Sequence, residues 1–335
     1  MSVFRRTIFK SRKTEAHGDE DRGKDTPRDA PPNSQDANDQ NGSDIQEEII
    51  RPDPFAGRMP TFFHIGGLAT ACLTIGYNIG AWHIDCTSKA SDVCTLYNYG
   101  TARPDSKTIS GGVGIRERIG MLNMTQVWQT EGILGTLGIS TEDGDGRLNA
   151  MLRVAYAAHG SSGVMLDLHT GYEQTPIKFD LIVPLMNVAH LKGYVVVQPA
   201  EDFLLGYRMV YDWKRQGFDQ HAIAAGYNNG RTELCLKLEN FKQLRGSVFQ
   251  RLGDRWAVTL KGDLYKDEPK HIAIGAQCNI DTARIKAKLS NDGFLGAVFQ
   301  HDLSENIRIM YHLGCDISAP IEGNHKMGIS WSFTC

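Results

Sequence analysis

Three places in this chain hold residue types that do chemistry elsewhere, and none of the sets is complete. Gly111-Gly-Val-Gly114 has the glycines of a phosphate-cradling loop. Such a loop works by opening a helix whose N-terminus holds the phosphate, and no helical pattern follows here. Asp143-Gly-Asp-Gly146 offers two carboxylates of a calcium loop but not the later ligands, so a hairpin turn accounts for it. Seven cysteines (72, 86, 94, 235, 278, 315 and 335) form an odd set with no Cys-x-x-Cys pair. That argues against a zinc site and against a secreted disulfide framework. The histidines are scattered, and no nucleophile–base–acid set emerges. The expectation is a protein that is not an enzyme and has no metal or cofactor of its own.

The remaining charged residues recur at regular places. Arg147, Arg153, Lys178, Arg208, Arg255, Lys261, Arg284, Lys286, Lys288 and Arg308 all fall opposite apolar residues in alternating segments. In 147–156, Leu148, Ala150, Leu152, Val154 and Tyr156 share one face, while Arg147, Asn149 and Arg153 share the other. In 283–289, Ala283, Ile285, Ala287 and Leu289 oppose Arg284, Lys286 and Lys288. Period two is the signature of a strand between an apolar and a polar medium. Segments 177–183, 202–211, 231–239, 254–262 and 305–313 repeat the pattern. Turn residues separate them, as at Gly160–Gly163, Asn228-Asn-Gly230 and Asn291-Asp-Gly293.

About nineteen such segments of roughly 9–11 residues fit between residues 80 and 334, the length that crosses a bilayer at a tilt. A soluble sandwich or barrel also alternates. A soluble core of that many long strands normally splits into two sheets or domains, and no internal linker marks a split. The pattern therefore predicts a membrane-spanning β-barrel with the basic stripe on its water-filled side. Asp167, Asp180 and Glu233 point the same way but are fewer. Such a lining concentrates anions weakly, without tight sites.

Charge divides the rest of the chain. Residues 1–13 hold five basic and no acidic residues, whereas residues 14–53 hold twelve acidic and four basic ones. The whole chain carries −3, so no nucleic-acid partner is implied. Residues 1–56 are expected to form a disordered extension, poor in large apolar residues, with a basic tip and an acidic linker. The tip, with Phe4, Ile8 and Phe9, has some features of a mitochondrial presequence, but its shortness favours a plain basic end. Thr61 to Ile84 contains no Asp, Glu, Lys or Arg, which leaves open a membrane-spanning helix. Its glycines and modest hydropathy favour a short helix over about 61–74, with Ile65, Leu68, Ala69, Cys72 and Leu73 on one face. A hinge at Gly76 and Gly80 then leads into the barrel. The expected organisation is extension 1–56, helix and hinge 57–79, and barrel 80–335.

From Pro60 to Phe333 the chain resembles the mitochondrial porins, the voltage-dependent anion channels of the outer membrane. The matching segments are Pro60-Thr-Phe62, Gly76-Tyr-x-x-Gly80, Leu122-x-Met-Thr-Gln-x-Trp128, Leu134-Gly-Thr136, Leu205-Gly-Tyr-x-Met209, Gly246-Ser-Val-Phe-Gln250 and Asn324-His-Lys-x-Gly328. The family barrel has nineteen strands, a number the segment count agrees with but does not establish independently. The resemblance implies a multi-pass, voltage-gated pore for ATP, ADP, phosphate and small organic anions, with the helix inside the lumen. It implies a lipid bilayer and the outer-membrane sorting and assembly machinery as partners, and it is compatible with a homo-oligomer. Lys326, Gly328, Trp331 and Phe333 resemble the family's sorting signal. A weak contact with a nicotinamide or adenine nucleotide would map to Phe294, Leu295 and Gly296 and to His312, Leu313, Gly314, Cys315 and Asp316.

Three departures qualify those implications. Gly67, Thr70 and Ile75 stand where the family helix carries basic residues, so nucleotide contacts and voltage gating are both open. Gln126 stands where many members have a lipid-facing glutamate, which removes a charge of the kind that marks function in hydrocarbon. The segment at Cys278-Asn-Ile-Asp281 is one residue shorter than the family signature, as a turn deletion would make it. A poorly conducting barrel serving as an interaction scaffold, and the protein-import pore of the same membrane, are the alternative readings.

Overall fold

The computed structural model describes residues 57–157, 163–265, 271–318, 321 and 325–335. Residues 1–56, and the expectation of disorder there, lie outside the described residues, as does most of the Gly160–Gly163 turn. The described chain opens with a turn of 3-10 helix at Phe62–His64 and one α-helix, α1, at Gly67–Thr74. Nineteen strands follow. They are β1 Trp82–Lys89, β2 Cys94–Arg103, β3 Thr108–Ile119, β4 Leu122–Gln129, β5 Gly132–Asp143 and β6 Gly146–Ala157. Next come β7 Val164–Gln174, β8 Ile177–Met186, β9 His190–Ala200, β10 Phe203–Asp212, β11 Gly217–Asn228 and β12 Thr232–Glu239. The last are β13 Gln243–Leu252, β14 Trp256–Tyr265, β15 Ile272–Ile280, β16 Ala283–Ser290, β17 Phe294–Ser304, β18 Ile307–Asp316 and β19 Lys326–Thr334.

Each strand pairs antiparallel with the next, and β1 pairs parallel with β19, so the sheet closes. An odd strand number makes that one parallel joint necessary. Its register runs from Trp82 opposite Ile329 to Thr87 opposite Thr334. Closure leaves no unpaired edge, the condition for spanning hydrocarbon with strands.

The faces confirm the inverted pattern. Trp82, Trp128, Trp256, Leu137, Phe179, Ile223, Leu260 and Tyr311 are exposed on the outside, while Thr125, Asn149, Asp167, Lys178, Glu233 and Lys286 are buried within. Apolar side chains thus face out, toward lipid, and charged ones face the lumen. Turns form where the side chains supply the bonds. Asn228 Oδ1 accepts from Gly230 N–H at 2.8 Å, and Asn229 Oδ1 accepts from Arg231 and Thr232 N–H. Asp143-Gly-Asp-Gly146 is the β5–β6 hairpin, with Gly144 at φ 57°. Gly111–Gly114 lies inside β3, so its glycines open no helix.

The inner helix differs from expectation. Gly66 adopts φ 78°, a left-handed conformation open to glycine, and this separates the 3-10 turn from α1. Ile65 therefore lies before α1, and one continuous helix over 61–74 does not form. No helix among the described residues is long and apolar enough to cross a membrane, so the membrane-spanning helix is excluded for Thr61–Ile84.

Candidate functional site: the lumen and its inner segment

The segment 57–81 runs along the inner wall, mainly over the arc from β7 to β19. At its start, Arg58 N–H donates to Glu173 Oε1 at 2.7 Å, and the Arg58 guanidinium reaches Glu142 at 3.2 Å. Glu173 is also paired with Lys178 at 3.2 Å, and Lys178 is only 1% exposed. Phe62 and Ile65 then pack with Tyr194, Val196, Leu204, Ala222 and Ala224 of β9–β11. The ammonium of Lys237 lies 4.9 Å over the Phe62 ring, a cation–π contact. Within α1, Ala69 and Cys72 pack on Phe249 and Ala257, with Leu68 at the margin. The apolar face predicted for the helix is thus spent on the wall.

The helix carries no charge, yet charge meets both its ends. Glu233 Oε2 accepts from Ala69 N–H at 2.9 Å in the first turn. Lys286 Nζ donates to the carbonyls of Ala71 and Ile75 at 3.4 Å each, and Lys261 Nζ lies 3.5 Å from Thr70 Oγ1. Thr70 and Ile75 are two positions where the resemblance implies basic residues; here lysines reach them from β14 and β16.

Beyond α1, Gly76 and Gly80 adopt φ 85° and 71°, both left-handed, so the chain turns twice to reach β1. Tyr77 lies under the Lys288 ammonium at 4.5 Å, and burial pushes its phenol pKa up. Asn78 Nδ2 donates to Ser330 Oγ at 3.3 Å, and the same hydroxyl lies 2.8 Å from His312 Nε2.

This geometry fixes what the predicted residues can do. Arg147, Arg153, Lys178, Arg208, Lys261, Arg284, Lys286, Lys288 and Arg308 occupy inner-face positions, whereas Arg255 lies in the turn before β14. Its displacement from the stripe is one residue, enough to leave the strand. Several of the cations are neutralised locally: Arg147 near Glu142, Arg153 by Asp167 at 3.7 Å, Lys178 by Glu173, and Arg308 by Asp302 at 2.7 Å. Arg208 donates to Gln220 at 2.7 Å and Arg284 to Asn279 at 2.9 Å, both neutral partners.

Phe294, Gly296, His312, Gly314 and Asp316 share the inner face of β17 and β18, while Leu295, Leu313 and Cys315 alternate onto the other. Tyr77 crosses Gly296 and Ile79 crosses Gly314, so the hinge occupies the wall where a nucleotide would contact it. Gln126 is exposed on the outer face beside Trp128, between buried Thr125 and Val127. Lys326 and Gly328 face inward and Trp331 and Phe333 alternate outward on β19. Among the inner cations, sequence reading passed over Arg116 and Arg118 of β3. The alternation Arg116-Glu-Arg118 carried the signal, but the glycines of 111–114 obscured the strand.

A closed barrel that is apolar outside, charged inside and nineteen strands around is a membrane pore. Porins of sixteen to eighteen strands already enclose an aqueous channel, and a helix about 10 Å across lying on one wall does not fill a wider one. The profile of the eukaryotic porin family matches residues 58–328. The chain belongs to that family, and is a pore-forming channel that passes small solutes across a lipid bilayer.

It is similar to the voltage-dependent anion-selective channel of Drosophila melanogaster, 24% identical over 289 residues that cover 81% of this chain and 97% of that protein. It is similar in the same degree to the non-selective voltage-gated ion channel VDAC1 of Homo sapiens, 24% identical over 288 residues, covering 82% and 98%. Among solved structures, a mutant of the Rh. blastica porin aligns with a TM-score of 0.47 and 9% identity, over 66% of this chain and 88% of that one. The fold rests on its own strand pairing.

Proposed function

We propose that the chain is a passive diffusion channel of the mitochondrial outer membrane, weakly selective for small anionic metabolites such as ATP, ADP and phosphate. The observation that carries this reading is the set of inner-wall cations whose direct partners are neutral. Lys261, Lys286 and Lys288 have neutral partners, as do Arg208 and Arg284. Local carboxylates offset much of the remaining stripe, which is why the selectivity is weak. One relative is named as an anion-selective channel and the other as a non-selective one, and this reading lies between the two. The shared family supports the mitochondrial location, and the β19 pattern supports delivery by the outer-membrane assembly machinery. Association with further copies in the bilayer fits the same reading. A nucleotide passes through the lumen without docking on β17 and β18, because Tyr77 and Ile79 cover that wall.

Arg116 and Arg118 provide the test, because they line β3, away from the arc that holds α1. Arg116→Glu with Arg118→Glu is expected to move the reversal potential in a potassium chloride gradient toward cations, with conductance retained. An unchanged reversal potential would remove the inner cations as the source of selectivity.

A further inference from the structure

We propose that Glu233 and Lys286 are the positioning residues of the pore segment: two wall charges of opposite sign, matched to the two ends of α1, that hold a helix with no charge of its own. The proposal rests on reading the lumen as the conducting path. A helix concentrates partial positive charge on its first N–H groups and partial negative charge on its last carbonyls. Glu233, on β12, lies at the first end and is 1% exposed. Lys286, on β16, lies at the other end with its ammonium shared between two carbonyls. Either charge alone would be a costly burial; each has its compensation in the backbone of α1.

The arrangement is directional. Exchanging the two charges would keep the wall neutral but place each against the wrong end of the helix. The apolar contacts of Ala69, Cys72 and Leu73 dock the helix on the wall, and the charge pair adds a preference for its direction, because Glu233 and Lys286 stand at opposite termini. These two residues then govern how often the inner segment leaves the wall.

Cys72 is a native reporter of that event. It is 2% exposed, sealed between α1 and the wall, and burial raises its thiol pKa while the nearby Lys286 ammonium lowers it, so loss of that ammonium alone would slow labelling and faster labelling of Lys286→Met reports exposure. The full chain is reconstituted in liposomes and labelled with a water-soluble maleimide, and modification of each cysteine is read by peptide mass. Glu233→Gln and Lys286→Met are each expected to speed labelling of Cys72 about tenfold, the scale of losing one well-placed charge at a helix end. Lys286→Arg is expected to label like the native chain. The exchanged pair Glu233→Lys with Lys286→Glu is expected to label faster than either neutral variant. Exposed Cys335 serves as the control for an intact barrel, with an unchanged rate throughout.

Native labelling of Cys72 in Glu233→Gln, with Cys335 unchanged, would overturn the proposal, as would labelling in Lys286→Met that is slower than native, as its lost ammonium alone accounts for. So would an exchanged pair that labels like the native chain, which would show that neutrality and not direction matters. Current is recorded on the same preparations. A silent native chain would defeat the channel reading, while Cys72 labelling would still decide the anchor.

Discussion

At the scale of single residues, the inner wall is shaped as much by missing side chains as by charged ones. A Cβ at Gly206 would stand 2.7 Å from both Phe62 and Ile65, one at Gly275 would stand 2.8 Å from Leu73, and one at Gly314 would stand 2.6 Å from Ile79. These distances are shorter than side chains tolerate, so the glycines keep a track in which the inner segment lies. Gly314 sits in ordinary strand geometry, and a substitution there tests space alone. Gly314→Val is expected to displace the hinge and speed amide exchange over residues 76–80 at least about tenfold, leaving β18 protected. Unchanged exchange would mean that the track does not constrain the hinge. The same scale explains why charge reversal at Lys286 and Lys288 is a poor test of selectivity. One holds α1 and the other covers Tyr77, so reversal would move the segment as well as the field.

At the scale of elements, the strands were legible and the inner segment only partly so. Every strand lies between two media, and a period of two in apolarity survives in each, as in 147–156 and 283–289. The helix was legible as an apolar face, but not as a broken one. Gly66 reads as one more glycine until its left-handed conformation is seen. The anchors of α1 were not legible, although Glu233 was recognised as an inward acid. Its partner is the N–H of Ala69, 164 positions away in sequence, and no local pattern marks that pairing. Arg255 shows the opposite failure, where local alternation extended one residue past the strand's true start. For β19, Phe333→Ala is expected to leave the chain outside the outer membrane after import into isolated mitochondria. Assembly at the native level would dissociate Phe333 from sorting.

At the scale of the whole molecule, the sequence and the fold agree because the environment inverts the usual rule. The chain places its charge where water is, and water is inside. Formal charge balances over residues 54–335, while the acidic residues of 14–53 lie apart from the barrel in sequence. On the proposed reading, local ion pairs let a charged lumen coexist with modest selectivity, since lumen carboxylates such as Asp167, Glu173, Asp263 and Asp302 each pair with a cation. The inner segment adds apolar cover to β9–β11 and β13–β16, so a piece of the same chain lines the wall there.

The most direct test is the current through the full chain in a planar bilayer under a potassium chloride gradient. The account predicts large steps with a reversal potential displaced slightly toward that of chloride. Inserted protein that carries no current, or a reversal potential on the potassium side, would contradict it.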